Sequence, residues 1–450
     1  MNHSISGFKL IALLIVLFSK PFSYGQTNVG GVISSNTQWT VANSPYIVTD
    51  TVVILPNVTL TIEPGVEVKF DANQLLDVRG KLTALGTITD SISFVSNVSQ
   101  LPGSWSGMIV NLELHAIIDL QYTTIKHARY VLNVIFGQVA LDPISIKNSL
   151  IEKNISGLVG YSLSERIIFD SCRFINNTFG IGSAPMNPTG GFKLTNSYFI
   201  DNQYGIANAG GTIINCVFAC NNTAIKLTSG IIENCTISNN NIGVEYNDIF
   251  NPISIKSSAI VKNDIGMILP HQSDITNNYI CNNTTANVKL SSFYNHDLRN
   301  NCWCDADSSI IADKIIDVYD NALLGAVLFS LPVNCDSSDL QDQSDCYALE
   351  LGMEGAPDHT ASLFETSAKN PKLIVFPNPL TDFAAVRFEN SSLEDREIRI
   401  YNAHGEQIRH YTEIRSDALV LEKSDLLPGI YFIQLRENDV LLATEKLVIQ

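Results

Sequence analysis

The stretch NSYFIDNQYGIANAGGTIINCVFACNNTAIKLTSGIIENCTISNNNIGV, residues 196–244, decides the fold because it repeats one pattern. In each repeat a large apolar residue lies three positions before an asparagine, and glycine or alanine lies three positions after it. The pattern continues in both directions, from about residue 122 to residue 287. Its asparagines are Asn154, Asn177, Asn202, Asn221, Asn240, Asn263 and Asn283.

The flanking positions of these repeats keep their character. The preceding apolar residues are Ile151, Phe174, Phe199, Phe218, Ile237, Ile260 and Ile280. The small residues are Gly157, Gly180, Gly205, Ala224, Gly243, Gly266 and Ala286. An apolar residue follows in every repeat except the last, which has Asn287. The asparagines are 19 to 25 residues apart, the length of one solenoid coil.

Within each coil the apolar residues alternate with period two, which predicts strands. A helical repeat would need longer apolar stretches of period 3.6, and leucine is too scarce at the fixed positions to favour leucine-rich repeats. Stacked coils rise by one strand spacing, about 4.8 Å, so the asparagine amides should hydrogen-bond along the stack. Asparagine also tolerates a left-handed turn, and the glycine would serve the next bend. We therefore interpret the asparagine column as structural.

The opening coils, residues 58 to 94, alternate in the same way. They carry the turn Glu63-Pro64-Gly65, then Gly80, Leu82, Ala84, Gly86 and Thr87, then Trp105 and Gly107. These motifs resemble right-handed parallel β-helix proteins of bacterial surfaces. The resemblance continues in Asn301-Cys302-Trp303-Cys304 and from Ile315 to Val327, where such proteins have an end cap. The resemblance implies a right-handed parallel β-helix.

The first residues predict a signal peptide, because Lys9 precedes an apolar run from Leu10 to Phe18 and small residues follow near Gly25. The run is too short for a membrane span, and no transmembrane segment is expected in the mature chain.

The net charge is −17, or −19 once Lys9 and Lys20 are removed, which makes nucleic acid a poor partner.

The nine cysteines include no CxxC pair and no zinc-finger spacing. In an oxidising compartment, one or two disulfides among Cys302, Cys304, Cys335 and Cys346 would staple the cap, although the pairing cannot be read from the sequence. His271, His296, His359 and His404 are isolated and favour surface or packing roles over metal binding. No metal and no cofactor is predicted.

After residue 336 the periodicity ends and an acidic stretch follows. Beyond it come seven short strand-like runs, which predict a small immunoglobulin-like β-sandwich. The predicted organisation is a signal peptide (1–25), a β-helix with its cap (26–335), an acidic linker (336–370) and a C-terminal domain (371–450). The fold class is all-β.

Four motifs in the C-terminal domain carry a second resemblance. They are Phe376-Pro377-Asn378-Pro379, then Ile400-Tyr401-Asn402 with Gly405, then Leu427-Pro428-Gly429-Ile430-Tyr431, and finally Lys446-Leu447-Val448-Ile449. In this order they resemble the type A C-terminal sorting domain of the type IX secretion system of Bacteroidetes. The resemblance implies that the type IX machinery is a partner and that the protein reaches the cell surface or the extracellular space.

A catalytic site would need a cluster of acids and bases. The best candidates are Glu152, Lys153, Glu165, Arg166, Asp170 and Arg173, with Lys126, His127 and Arg129 one coil earlier. Paired carboxylates can perform acid–base chemistry when about 5 to 9 Å apart. Spaced charges are also typical of any solvent-facing strand. The patterns of known polygalacturonase and pectate lyase sites are absent from the sequence.

The sequence therefore favours a secreted or surface-attached, non-catalytic module that binds glycan or another surface component along its strands. Exposed aromatic platforms would come from Trp39, Trp105, Tyr161 and Tyr204, some of which must belong to the core. The alternative is a polysaccharide lyase or glycoside hydrolase that uses the charged cluster. A purely structural spacer or adhesin is a third hypothesis.

Overall fold

The computed structural model describes residues 25–135, 144–160, 166–183, 189–246, 253–271, 273–305, 307–330, 373–376, 378–380, 383–388, 396–402, 406–414, 418–424, 426–437 and 440–449. Residues 1–24 of the predicted signal peptide and the predicted acidic linker lie outside this part of the chain. The chain divides into two compact units, Met1–Cys346 and Tyr347–Gln450.

In its described residues the first unit is built from short strands with one α-helix, α1 (Ser308–Ala312), and two 3-10 helices, Val41–Asn43 and Leu112–Leu114. Its strands are β1 (Thr27–Ile33), β2 (Thr37–Trp39), β3 (Tyr46–Ile54), β4 (Thr59–Ile62), β5 (Glu67–Phe70), β6 (Leu75–Val78), β7 (Lys81–Leu85), β8 (Ile92–Ser96), β9 (Trp105–Asn111), β10 (Ile117–Gln121), β11 (Thr123–Lys126), β12 (Ala128–Ile135), β13 (Ile144–Lys147), β14 (Leu150–Glu152), β15 (Ser156–Gly160), β16 (Ile167–Asp170), β17 (Arg173–Ile175), β18 (Phe179–Gly182), β19 (Thr189–Thr195), β20 (Tyr198–Ile200), β21 (Tyr204–Ile214), β22 (Val217–Ala219), β23 (Thr223–Glu233), β24 (Thr236–Ser238), β25 (Ile242–Tyr246), β26 (Ile253–Lys256), β27 (Ala259–Val261), β28 (Ile265–Leu269), β29 (Asp274–Thr276), β30 (Tyr279–Cys281), β31 (Ala286–Leu290), β32 (His296–Asp297), β33 (Ile315–Ile316) and β34 (Val327–Leu328).

Most of these strands stack in parallel on three faces, while β3, β21 and β23 each extend over two faces and β32 pairs with β34 in a separate two-stranded sheet. The first face contains β2, β4, β7, β10, β13, β16, β19, β26 and β29, with the C-terminal halves of β21 and β23. The second face contains β5, β8, β11, β14, β17, β20, β22, β24, β27 and β30. The third face contains β6, β9, β12, β15, β18, β25, β28 and β31, with the N-terminal halves of β21 and β23. The predicted parallel β-solenoid is thus confirmed.

One continuous apolar core fills the solenoid. Inward residues of successive coils lie one above another, so like residues stack: Phe199 lies between Phe174 (ring centroids 4.3 Å apart) and Phe218 (4.7 Å). In the early coils Trp105 stacks on Phe70 at 3.9 Å. Stacked rings at this distance gain dispersion energy beyond the area they bury.

The asparagine column forms a buried hydrogen-bond ladder. Asn177 Nδ2 donates to Asn202 Oδ1 of the next coil (3.0 Å) and to the carbonyl of Ile151 on the preceding coil (2.9 Å). The backbone N–H of Asn177 donates to the same Asn202 oxygen (2.9 Å). The ladder ends where Asn283 Nδ2 donates to Asn287 Oδ1 at 2.9 Å. The residue that breaks the apolar pattern therefore terminates the ladder.

The left-handed residue of this corner is not the ladder asparagine, as the sequence suggested, but the residue just before it. These residues have φ between 54° and 62°: Lys153, Asn176, Asp201, Cys220, Asn239, Lys262 and Asn282. Placing the bend one residue earlier leaves the asparagine side chain pointing inward, where it can close the corner. The bend also interrupts the period-two alternation. The left-handed residue at each corner belongs neither to the inward-facing nor to the outward-facing residues of the strands.

The glycine after the ladder asparagine serves packing and not a bend, which corrects a second expectation. A Cβ on Gly180 would lie 2.5 Å from the carbonyl oxygen of Gly205 and 2.6 Å from the ring of Phe199. Contacts this short are forbidden by sterics. Glycine is needed at Gly180 because the next coil and the stacked ring of Phe199 approach too closely for any Cβ.

A second inward column lies at the other corner of the second face, five residues before each ladder asparagine. It consists of Ser149, Cys172, Ser197, Cys216, Cys235, Ser258 and Asn278, all buried. Its side chains accept hydrogen bonds from the backbone of the preceding coil, as Ser197 Oγ does from Cys172 N (3.0 Å) and Ser258 Oγ from Cys235 N (3.0 Å). The fixed offset is a signal in the sequence, but it is hidden because the position alternates among serine, cysteine and asparagine, which share small size and polarity but not identity.

The second unit is antiparallel. Its strands are β35 (Ile374–Phe376), β36 (Phe383–Arg387), β37 (Arg396–Asn402), β38 (Gln407–Ile414), β39 (Ala418–Glu422), β40 (Gly429–Glu437) and β41 (Val440–Ile449). They form a three-stranded sheet, β35-β36-β39, and a four-stranded sheet, β38-β37-β40-β41, with one shared apolar cluster. The arrangement is compatible with the predicted β-sandwich.

Candidate functional site

Part of the predicted charged cluster meets on the second face. Lys126 and Glu152 are register partners on β11 and β14, and the carboxylate of Glu152 contacts Lys126 Nζ at 2.8 Å and Lys153 Nζ at 3.1 Å. Burial alone would raise the pKa of Glu152, but the hydrogen bonds and charges of the two lysines outweigh it and lower that pKa. Glu152 is therefore ionised at neutral pH and held between two cations.

His127 and Arg129 lie beside this ion-pair cluster without joining it. Burial, helped by the charges of Lys126 and Lys153, lowers the pKa of His127, so its imidazole is neutral at pH 7. Its Nδ1 has no hydrogen-bond partner among the described residues. The guanidinium of Arg129 lies over the ring of Tyr130, 5.6 Å from the ring centroid.

The remaining candidates are not gathered at Glu152. Asp170 ends β16 on the first face, where its Oδ1 accepts hydrogen bonds from Thr195 Oγ1 (2.6 Å) and Asn196 Nδ2 (2.8 Å). Arg173 begins β17 on the second face, in register with Leu150 and Tyr198. Arg166 precedes β16, and Glu165 lies outside the described residues. The described carboxylates Glu152 and Asp170 thus lie on different faces, and each has its own partners.

No group of three or more histidine, cysteine, aspartate or glutamate side chains in the described part of the chain has a geometry suited to a metal ion.

Of the four predicted aromatic platforms, two belong to the core. Trp39 and Trp105 are buried, stacked on Tyr46 and Phe70. Tyr204 lies on the third face and stacks on Phe179 of the preceding coil at 5.3 Å, while Tyr161 is outside the described residues. Tryptophan was a poor indicator of exposure here, because both rings belong to the apolar core.

An exposed aromatic group that the sequence analysis did not single out lies near the C-terminal end of the solenoid. Phe293 is 69% exposed, its ring centroid lies 4.4 Å from that of Tyr294, and the ring centroid of His271 lies 4.6 Å from that of Tyr294. We call Phe293, Tyr294 and His271 the cap aromatic patch. The signal in the sequence was an aromatic pair inside a polar loop, Ser-Ser-Phe-Tyr-Asn, with no periodic partner.

The loop that carries Phe293 and Tyr294 is held in place by the cap. Gly325 N donates to Ser292 O (3.0 Å), Ala326 N donates to Asn295 Oδ1 (2.7 Å), and His296 N donates to Ala326 O (2.9 Å). A Cβ on Gly325 would lie 2.0 Å from Tyr294 O, so only glycine allows this approach. The exposed rings therefore rest on a fixed backbone.

Four described cysteines are in disulfides and three are free thiols. Cys281 is bonded to Cys304 of the next coil, with Cα atoms 5.8 Å apart. Cys220 and Cys302 are also disulfide-bonded. Cys172, Cys216 and Cys235 are the buried thiols of the second inward column, and burial raises the pKa of Cys172 to about 12. Cys335 and Cys346, which the sequence placed among the candidates for disulfides of the cap, lie outside the described residues.

In the C-terminal unit the first and last sorting motifs contact each other. Asn378 Nδ2 donates to Lys446 O (2.6 Å), and Val448 N donates to Asn378 Oδ1 (2.7 Å). Pro379 follows, and Leu380 N donates to Val448 O (2.7 Å). The side chain of Lys446 is exposed, whereas Tyr431 is buried and its hydroxyl donates to Leu427 O (3.0 Å) beside Gly429. Pro377 and Gly405 lie outside the described residues.

Residues 374–450 match the family described as the secretion system C-terminal sorting domain. This range covers all seven strands of the second unit. The protein is a parallel β-solenoid that carries a type IX secretion sorting domain, and it is therefore exported to the cell surface or the extracellular space. A comparison of the chain with curated proteins finds no match. None of the helices in the described regions has the length and apolar character needed to cross a membrane.

Proposed function

We propose that the solenoid is a non-catalytic module that binds glycan at the cell surface, with the cap aromatic patch as its contact. Sugar rings present apolar C–H faces that pack on exposed aromatic rings, and rings fixed on a rigid loop lose little conformational entropy on binding. The exposed ring of Phe293 against Tyr294 is the observation that carries the proposal.

The ion pairs around Glu152 support the non-catalytic half of the proposal. A general acid must hold a proton near neutral pH, so its pKa is raised, whereas the two lysines lower that of Glu152. Asp170 lies on another face and is occupied by Thr195 and Asn196. The ion pairs of Glu152 and the hydrogen bonds of Asp170 stabilise the stacked coils. This structural role accounts for these charged residues without catalysis.

The test is retention of the purified full chain on a panel of neutral and acidic polysaccharides, read together with the 235 nm absorbance that lyase products generate and with polymer length. We expect retention without turnover. The double substitution Phe293→Ala and Tyr294→Ala should weaken retention about tenfold, or ~1.4 kcal/mol, as for an interface hot spot.

Leu101→Ala is the matched control, because Leu101 is 70% exposed on an early coil and its loss should leave retention unchanged. New absorbance or shortened polymer, abolished by Glu152→Gln, would favour the lyase or hydrolase instead. Neither retention nor turnover on any polymer would favour the structural spacer.

A further inference from the structure

The first coil of the solenoid has an unpaired edge. Among the described strands, β1 pairs only with β3 and β2 pairs only with β4. A strand in the middle of the stack, such as β10, pairs with one strand on each side, β7 and β13. Within the described part of the chain, the outer edges of β1 and β2 are therefore free.

The free edge of β1 exposes backbone hydrogen-bonding groups. Along a strand of a parallel sheet, alternate residues direct their N–H and C=O groups to opposite edges. Thr27 N donates to Pro45 O (2.9 Å), and Ile33 O accepts from Leu55 N (3.2 Å), so both residues bond toward β3. Their neighbours Asn28 and Val32 direct these groups toward the free edge. A row of such groups is a template for another strand.

The side chains at this edge do not oppose strand pairing. Val32 is 62% exposed, and Val29 and Ile33 pack against the core while remaining only partly buried. Residues 26–49 contain no charged side chain, although 16% of the whole chain is charged. Lysine, glutamate and proline, which proteins use to protect edge strands, are absent from β1 and β2.

The charge of the chain favours a second copy that meets this edge head to head. With a net charge of −17, two copies repel each other over most of their surface, and an uncharged coil lets them approach. The opposite end of the solenoid offers no comparable edge. Its last strands on the three faces, β29, β30 and β33, have only two or three residues each, against seven in β1.

We propose that the free edge of β1 is a dimer contact, at which two copies of this chain pair antiparallel about a two-fold axis. Such a contact is closed, because the same edge is used by both copies and none remains for a third. It provides hydrogen-bond partners for the outward backbone groups of Asn28 and Val32, and it shields the exposed side chain of Val32 from water.

The dimer has a consequence for binding that rests on the proposed function. Head-to-head pairing places the two cap aromatic patches at opposite ends of the paired solenoids, since each patch lies near the C-terminal end of its own solenoid. Two patches on one particle bind a polymer-coated surface more tightly than one. The dimer is tested without any polysaccharide, so its failure and the failure of glycan binding are distinguishable.

The test is sedimentation velocity of the mature chain, without the predicted signal peptide, at increasing protein concentration. We expect an equilibrium between monomer and dimer. Val32→Lys should weaken the dimer about tenfold or more, because a lysine on an edge strand opposes pairing. Val98→Lys is the matched control: Val98 is 54% exposed on the turn after β8, three coils from β1, and its substitution should leave the equilibrium unchanged.

Amide hydrogen exchange on the unsubstituted chain locates the contact. Peptides that contain β1 should gain protection as the protein concentration rises, whereas peptides that contain β30 should not. Thermal denaturation should give the same midpoint for Val32→Lys and Val98→Lys, since both side chains are exposed. A monomer at every concentration, a dimer that persists in Val32→Lys, equal weakening by both substitutions, or a mass that grows into filaments would overturn the proposal.

Discussion

The early coils and the later coils of the solenoid stabilise the same fold in different ways. From β4 to β9 the corners are loops and turns such as Glu63-Pro64-Gly65, and the core contains Phe70 stacked on Trp105. From β14 to β31 each corner of the second face is one left-handed residue followed by a buried polar side chain that bonds to a neighbouring coil.

The difference concerns the polar groups at the corners and not the core. Both halves bury alternating apolar side chains in one cluster. Tight corners leave backbone groups inside the solenoid, and an unpaired buried group is costly, so the later coils need a ladder. In the early coils the backbone groups at the corners bond to other backbone groups, as Lys81 N does to Val58 O (2.8 Å) and Ser93 N to Val66 O (3.0 Å). The following predictions test this distinction, from the largest expected effect to the smallest.

Substitutions in the core should have the largest effect on the free energy of unfolding. This effect should be equal in the early and the later coils, because one core runs through both. Phe199→Ala in the later coils and Phe70→Ala in the early coils should each lower the free energy of unfolding by about 3–5 kcal/mol, the cost of a large core cavity. Chemical denaturation of the purified full chain measures both. A loss below about 1 kcal/mol in either half would mean that its core is loosely packed.

The ladder should matter only in the later coils. Asn221→Ala removes the bonds of Nδ2 to Phe199 O (2.9 Å) and Asn240 Oδ1 (3.0 Å) and removes the acceptor of Asn202 N (3.0 Å). Orphaned buried groups cost about 1–3 kcal/mol each, so a loss of about 2–4 kcal/mol is expected after partial relaxation.

Asn222→Ala is the neighbouring control for the ladder. The Asn222 side chain is exposed and accepts only a long bond from Asn241 Nδ2 (3.3 Å), so its loss should change stability by less than about 0.5 kcal/mol. Equal effects of the two substitutions in the same denaturation experiment would contradict a structural role for the ladder.

Acid should loosen the cap end of the later coils. His296 is buried, neither ring nitrogen has a partner among the described residues, and burial followed by the charge of His271 lowers its pKa from 6.5 to about 4. The folded state therefore favours neutral imidazole. Its stabilising contribution is complete above pH 6.5 and is lost as the pH falls toward 4, with about 2 kcal/mol lost between pH 7 and pH 5.

Amide hydrogen exchange at pH 7 and pH 5, corrected for the intrinsic rate, locates this effect. Peptides around His296 and β34 should lose protection at pH 5, while peptides from β4 to β7 should not. His296→Leu should remove the pH dependence at the cap. A uniform loss of protection along the solenoid would assign the acid sensitivity to other groups.

The second inward column should tolerate exchange among its own residue types. Cys235→Ser should change stability by less than about 1 kcal/mol, because Ser197 and Ser258 occupy equivalent positions and serine keeps the acceptor for Cys216 N. Cys235→Val removes that acceptor and should cost more. A smaller loss for valine than for serine in thermal denaturation would show that the column acts through packing alone.

Sequence patterns predicted the repeated elements well and single residues poorly. The period-two alternation and the 19 to 25 residue spacing predicted the coils because many residues must agree for a solenoid to form. They did not show that Trp105 is buried or that Phe293 is exposed, because exposure depends on which strand neighbours surround a ring.

The candidate site shows the same limit. Glu152, Asp170 and Arg173 are close in sequence, but a corner lies between Asp170 and Arg173, and this places Asp170 on the first face and the other two on the second. Glu152 instead meets Lys126, 26 residues earlier, because one coil of the solenoid has that length there. Contacts between coils follow the stacking register, which local sequence does not contain.

The sequence alone determined the export route, through the sorting motifs, and the solenoid, through its repeat, because both are encoded in local patterns of residue type. Only the tertiary structure decided which residue of each corner bends, which lysines neutralise Glu152, and that Ile200 is buried. Each of these depends on what the neighbouring coil or a distant segment places against a residue, and that arrangement exists only after the chain has folded.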